Sequence, residues 1–336
     1  MPKRIVFPEK GRVELQEFDL PPMNPTDITV RTRYSLMSIG TETTILHQKY
    51  APDTHYDRIF SFPQLKTGVQ AVGEVESIGS SVADFRVGDR IFMRMAHGSH
   101  QVMPESLCSP VPDGIDARDA CWCGLAKTAY RAAWAGQFDT AGSVLIIGAG
   151  PVGQMALRWA TALDVGERVV TDLSATRLQH ATRGGATRVL CGSVDEFASE
   201  IGQMNGGGGP PLVVDTTGSA MVFPLALAAA GRFGKVILLG DTGFPGHQCL
   251  TSDAMTKGLT IQATHDSHDV DGWTQRRIDE LFFRQVSEQK FDLNDLITHE
   301  FLPEQCAEAY ALASDQREQA VGILYDWTGG DSAVAD

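Results

Sequence analysis

The stretch SVLIIGAGPVGQMALRWATALDVGERVVTD, residues 143–172, runs from an apolar strand through a glycine turn and a helix to a second strand that ends in an acid. Three glycines punctuate the turn, and each spacing has a physical use. Gly148 permits the tight turn, Gly150 lets backbone approach a pyrophosphate, and Gly153 allows close helix–sheet packing. GxGxxG by itself is weak, because glycines cluster in many turns; its weight here comes from the order strand, glycines, helix, strand, acid. Phosphates would rest on the free amides of the helix N-terminus, which opens with Pro151 and Val152. Asp172, 24 positions after Gly148, stands close to where a carboxylate holds a ribose 2′-hydroxyl. It would repel a 2′-phosphate, so NAD is expected over NADP. Arg177 in the next helix either counters that by pairing a phosphate or flanks the adenosine.

Outward from this unit, strand and helix alternate from about residue 118 to about 285. SVLIIG, RVVTDL, TRVLCG, PLVVDTTG, KVILLG and LTIQAT are separated by helical stretches, and VLIIG and VILLG are continuously apolar, as strands covered on both faces are. Six such units make a doubly wound parallel α/β sheet. Ligands in such sheets bind beyond the carboxyl ends of the strands, which places Thr216, Thr217, Gly240, Asp241, Thr264 and His265 on the cofactor side, with Asp215 and His268 beside them. NGGGGPP (205–211) is a loop and no phosphate cradle, because no helix follows it. Residues 1 to about 110 are instead short alternating runs split by Gly and Pro, the texture of a compact, barrel-like β domain. After about 285, FDLNDLITHEFLPEQCAEAYALASD reads as a short segment, a strand and an amphipathic helix, and AVGILYDW as a last strand. This part is too small to fold alone and is expected to rejoin the N-terminal β domain; the tail TGGDSAVAD reads as disordered.

Composition narrows the function. A net charge of −14 over 336 residues argues against nucleic acid or an anionic membrane as a partner and leaves a small-molecule substrate. No apolar run reaches the ~18 residues of a spanning helix. The N-terminus, MPKRIVFPEKGRVELQ, puts Pro8 and charges where a signal peptide has its apolar core, so a cytoplasmic protein is expected. The six cysteines are scattered without a CxxC pair and read as reduced, buried thiols.

At this point the chain resembles the medium-chain dehydrogenase/reductase superfamily, which includes the zinc alcohol and polyol dehydrogenases. GVQAVGEVESIGSSVADFRVGDRIF is similar to that family's glycine-punctuated hairpin, GLAKTAYRAAWAG to the helix entering its nucleotide domain, and LITHEFLPEQCAEAYAL to its C-terminal return. The resemblance implies a β-rich, GroES-like catalytic domain of residues 1–125 and 287–336 around a Rossmann domain of residues 126–286, with the active site between them. It also implies a homodimer, since LTIQAT resembles the segment that pairs across the dimer in relatives. Zinc members carry a cysteine just before G-T-D and open the hairpin with G-H-E; here these runs are Ile39-Gly40-Thr41-Glu42 and Gly68-Val69-Gln70. The third ligand position falls near Cys123-Gly124, and the four-cysteine structural lobe is absent. Ile and Val ligate no metal, so zinc is expected at neither site. His97-x-x-His100 lacks a third ligand and reads as structural or substrate-facing.

Hydride transfer to nicotinamide then leaves the protein one proton to manage. Thr41 occupies the family's hydroxyl relay position and is the first candidate. Glu42 either orients a substrate hydroxyl or acts as base, or it is a structural carboxylate taking backbone amides. His97 lies in the loop that lines the substrate pocket in relatives, unless it is a surface histidine. His265 and His268, near the nicotinamide by the resemblance, are alternative proton carriers. Lys127 and Tyr130 on the entering helix are within reach of the cleft; His47 and Tyr50 read as surface. The expected activity is zinc-independent, NAD-dependent oxidation of a secondary alcohol on a polyol, sugar or cyclitol-like substrate. SIGTE is also similar to zinc-lacking members such as the bacteriochlorophyllide dehydrogenase type, which allows a bulkier substrate. The alternatives are a quinone or enoyl reductase, against which Asp172 speaks, and a nucleotide-binding protein without catalysis.

Overall fold

A computed structural model of the protein describes residues 1–138 and 142–329. The terminal residues 330–336, most of the tail read as disordered, lie outside the described residues. Sixteen strands follow in chain order: β1 Lys3–Phe7, β2 Glu14–Glu17, β3 Asp27–Leu36, β4 Leu65–Lys66, β5 Ala71–Ile78, β6 Arg90–Met93, β7 His100–Pro104, β8 Cys108–Pro110, β9 Ser143–Ile147, β10 Glu167–Asp172, β11 Arg188–Cys191, β12 Leu212–Asp215, β13 Lys235–Leu238, β14 Thr260–Ala263, β15 Ile297–Phe301 and β16 Gly322–Asp326.

The second half of the chain forms a six-stranded sheet in the order β11-β10-β9-β12-β13-β14, and every neighbouring pair is parallel. All five residues of β9 are buried, as a central strand with helices on both faces requires. Strand order reverses between β9 and β12, so the dinucleotide crevice opens above their carboxyl ends. The chain is thus an α/β protein with a Rossmann sheet, joined to a β-rich half of the GroES-like kind.

In that β-rich half the sheet path is β15-β16-β3-β5-β6-β8, with β7 on the free side of β3, and β2-β1-β4 form a small second sheet. The C-terminal strand β16 pairs antiparallel with β3, Leu324 opposite Leu36, so the end of the chain is laid beside residues near its beginning. The halves share one apolar core. The entering helix Cys123–Gly136 is buried along most of its length, and the Trp159 indole of helix Pro151–Ala162 donates to the Ala126 carbonyl at 2.7 Å. No helix among the described residues is long and apolar enough to cross a membrane.

Candidate active site in the cleft between the halves

The turn after β9 is built around two glycines that nothing else could replace. Gly148 has φ of +96°, and a Cβ there would stand 2.6 Å from the Thr216 hydroxyl. A Cβ on Gly153 would stand 1.9 Å from the Gly148 carbonyl oxygen. Gly150 differs: the nearest atom to its Cβ position is Arg177 Nη1 at 3.8 Å, so this face is open to a ligand. Helix Pro151–Ala162 starts directly after it with its first amides free, and Asp172 is tied to the same turn. Asp172 Oδ2 accepts from the Ala149 amide at 2.7 Å and Oδ1 from the Ser174 amide at 2.8 Å, which fixes the carboxylate at the end of β10. The arrangement fits a dinucleotide.

Some expected cofactor contacts are structural. Thr216 donates to the Ile147 and Gly148 carbonyls at 2.9 and 3.1 Å, and Thr217 caps Asp215 through both its amide and its hydroxyl. Gly240 is packed against the chain at Gly218, where a Cβ would come within 2.3 Å of an amide nitrogen. Arg177 is mostly buried: its Nη2 donates to the Arg317 and Ala320 carbonyls, while Nη1 is the atom nearest the open face of Gly150. Arg317 itself was not singled out from sequence. Its Nη2 lies 3.4 Å from the Cβ position of Gly40, so it reaches from the C-terminal return to the loop end of the β-rich half, and its charge is attracted to Asp172. An arginine in an exposed turn carries no sequence signal of that reach.

The stretch SIGTETT, residues 38–44, enters and opens the helix Ile39–Leu46. Glu42 and His97, expected in the cleft, are 1% and 0% exposed inside the β-rich half. Glu42 accepts from the Ser38 amide at 2.7 Å, Thr67 at 2.8 Å, His97 Nε2 at 3.1 Å and the Tyr310 phenol. His97 Nδ1 meets the Ser35 hydroxyl at 2.8 Å, which also accepts from Trp327. Burial pushes the Glu42 carboxyl up, but the His97 ring and these donors outweigh it and hold the group below its ordinary range. With every polar atom committed and no accessible surface, neither side chain can touch a substrate, and the structural alternative for Glu42 is the correct one.

Thr41, the residue between, does reach the cleft. Its hydroxyl lies next to the Tyr56 phenol, and Tyr56 next to Asp241 just past the end of β13. Asp241 Oδ2 also lies 2.8 Å from His55 Nε2. The His265 ring centroid is 5.8 Å from that of His55, and His268 stacks obliquely behind it at 5.9 Å. Residues from both halves therefore converge above β13 and β14. His55, Asp241 and His265 offer polar atoms within 4.8 Å of one another, and no other trio of His, Cys, Asp or Glu does so among the described residues. His55 and Tyr56 lie in APDTHYDRIF, which has no motif, so sequence alone does not single them out. Beside them the Thr264 hydroxyl is buried without a protein partner among the described residues.

At the positions where zinc relatives place ligands, the residues do not fit a metal. Ile39 is fully buried hydrocarbon, and a Cβ at Gly124 would meet Gln70 Oε1 at 2.4 Å. The Cys123 thiol is buried and hydrogen-bonded to Asp279; burial first, then that carboxylate, hold its proton on, whereas a metal needs the thiolate. Lys127 is tied to Asp266 at 3.4 Å and Arg94 to the same carboxylate at 2.8 Å, so these cations fasten the loop after β14 to the entering helix.

Comparison with known proteins agrees with this architecture. A family profile described as zinc-binding dehydrogenase matches residues 151–275. Sorbitol dehydrogenase of Arabidopsis thaliana is 25% identical over 331 residues, covering 86% of this chain and 85% of its own. A quinone oxidoreductase of Pseudomonas aeruginosa is 29% identical over 256 residues, 73% of this chain and 75% of its own. Among solved structures, galactitol-1-phosphate dehydrogenase from Escherichia coli superposes with a TM-score of 0.82 at 20% identity, over 96% of this chain and 99% of its own.

Proposed function

Because the chain belongs to the medium-chain dehydrogenase/reductase superfamily, on its zinc-type alcohol dehydrogenase-like side, we propose that it is an NAD(H)-dependent dehydrogenase which oxidises a secondary alcohol to a ketone without zinc. The observation that carries this reading is the cleft itself. A dinucleotide turn with Asp172 at its adenosine end faces, across the switch point, a group of hydroxyls, imidazoles and a carboxylate. Bound nicotinamide would supply the hydride acceptor. The open backbone at Gly150 and the first amides of the following helix hold the pyrophosphate, with Arg177 Nη1 at the open face of Gly150. Asp172 holds the 2′-hydroxyl of the adenosine ribose and selects against a 2′-phosphate. The orphaned Thr264 hydroxyl is available to the carboxamide, and Thr41 orients the alcohol oxygen.

A polyol, sugar or cyclitol-like substrate suits the polar lining by Thr41, Asp241, His55 and His265, and sorbitol dehydrogenase among the relatives supports that class. The likeness to a quinone oxidoreductase is the observation behind the second reading, an NAD(P)H-dependent reductase. The experiment is turnover of purified protein on a panel of polyols, cyclitols and secondary alcohols with NAD and NADP, against quinones with NADH and NADPH. Alcohol oxidation with NAD, undiminished by EDTA and reduced in Thr41→Val, is expected. Turnover confined to quinones with NADPH would overturn the reading, and NAD binding with no turnover on either panel would point to a binding protein. We further propose a homodimer built on the free edge of β14.

A further inference from the structure

The proton released in alcohol oxidation needs an acceptor, and neither Glu42 nor His97 is accessible. Strand order shows where to look for one. Asp172 marks the adenosine half over β10, so the nicotinamide half lies past the switch point, over β12 to β14. There Asp241 Oδ2 and His55 Nε2 stand 2.8 Å apart, with side chains 37% and 42% exposed. A carboxylate accepts, so Nε2 donates to Asp241, and in the neutral ring Nδ1 is the nitrogen left to take a proton. The same rule orders the rest of the network. A Tyr56 phenol beside that carboxylate can only donate to it, and the Thr41 hydroxyl next to Tyr56 has an oxygen able to accept from an alcohol. His55 and Thr41 come from the β-rich half and Asp241 from the nucleotide half, so the pair exists only where the two meet.

We infer that His55 is the catalytic base and Asp241 its positioning residue, an inference that rests on the dehydrogenase reading above. The alcohol O–H bond breaks and its proton passes to His55 Nδ1. Bound nicotinamide would accept the hydride from the carbinol C–H bond, and the electron pair left on oxygen would close the C=O bond. Asp241 fixes the imidazole in the tautomer that can accept and stabilises the imidazolium that forms, as a carboxylate does beside any catalytic histidine.

Two measurements on the full chain test this. The first needs no turnover: carbethoxylation of His55 by diethylpyrocarbonate, followed by peptide mass spectrometry. His55 should react in the free protein and be protected several-fold by NAD, yet remain reactive with ADP-ribose, which lacks the nicotinamide. Equal protection by both ligands, or by neither, overturns the placement. The second uses whichever alcohol the panel identifies. Because His55 is exposed at the start of the short helix His55–Ile59, His55→Ala should fold normally. It should lose about 10²- to 10⁴-fold in kcat and recover part of it with added imidazole, which a structural role would not allow. Asp241→Asn should lower kcat while NAD affinity holds. A kcat of His55→Ala near that of the parent overturns the inference. So does one zinc per chain that is lost in His55→Ala along with EDTA-sensitive turnover, since the trio would then hold a Lewis acid. If no alcohol turns over, the dehydrogenase reading fails, and the footprint still decides whether His55 faces the nicotinamide.

Discussion

Glu42 gathers four donors onto one carboxylate in a dry interior, and that concentration makes it the most sensitive single residue in the β-rich half. Removing it in Glu42→Ala strands His97, Tyr310, Thr67 and the Ser38 amide together. A loss of about 3–5 kcal/mol is expected, the cost of breaking one partner out of a buried ionic group, read from urea unfolding. Its pH dependence follows from the depressed carboxyl. A group held below its unfolded range stabilises the fold above about pH 4.3, the unfolded glutamate value, and that contribution drains away as pH falls through the folded value. Asp279 has the opposite sign. Burial pushes its carboxyl from 3.8 up to about 6, despite hydrogen bonds from Ser109 and Cys123. Ionising it in place therefore costs stability as pH rises between those values, by about 3 kcal/mol at 1.36 per unit. Asp279→Asn keeps the shape and removes the titration. Its melting temperature relative to the parent should be higher at pH 7 than at pH 4, and a difference that does not change with pH would refute the burial argument.

At the scale of the element, the glycine turn separates folding from binding. Gly153→Ala must displace the Gly148 carbonyl and Gly148→Ala forces a positive φ on a side chain, so both should lower the melting temperature. Gly150→Ala meets open space and should melt like the parent, yet its methyl would occupy the face on which a pyrophosphate rests. A fluorescence titration with NADH should show weakened binding in a fully folded variant; unchanged affinity would mean that the turn is structural only. This turn was legible because its constraints are local: strand, glycine spacing, helix and acid all lie within 30 residues. Helix Ile39–Leu46 was not legible. Gly40, Thr41, Thr43 and Thr44 are poor helix formers, and what closes the helix is side-chain bonding to its own first turn together with burial against distant residues. Glu42 folds back on the Ser38 amide, Thr43 donates to the Ile39 carbonyl at 2.7 Å, and Ile39, Ile45 and Leu46 are buried in the apolar core. The buried fate of Glu42 and His97 depended on Tyr310 and Thr67, residues 268 and 25 positions from Glu42, which no local pattern connects. His55 escaped for the same reason: its partner Asp241 is 186 positions away. Spacing reports chemistry within one element, whereas this cleft draws on two helices and the ends of two strands.

For the whole molecule, the unfinished feature is the free edge of the nucleotide sheet. β14 has β13 on one side only, and its four residues are exposed or half-buried, although an edge strand with unpaired amides is a template for another chain. The apolar side chains around it are not covered either: Met255, just before the strand, is 88% exposed, and Phe233, which lies against Gly258, is 77% exposed. Each chain carries a net charge of −14, so two copies approach against repulsion, and an uncharged apolar edge is where contact costs least. Two copies related by a twofold axis would bring β14 to β14 and cover these side chains, an isologous contact that closes after two subunits. Sedimentation of the native protein should return twice the 36.4 kDa of one chain. The double variant Met255→Glu, Phe233→Glu should sediment as a monomer, with NADH still bound because the cleft lies at the carboxyl ends of the strands, whereas Phe233 and Met255 precede β13 and β14. A native protein that sediments as a single chain at micromolar concentration would rule out the pairing, and a dimer that survives both charges would move the interface elsewhere.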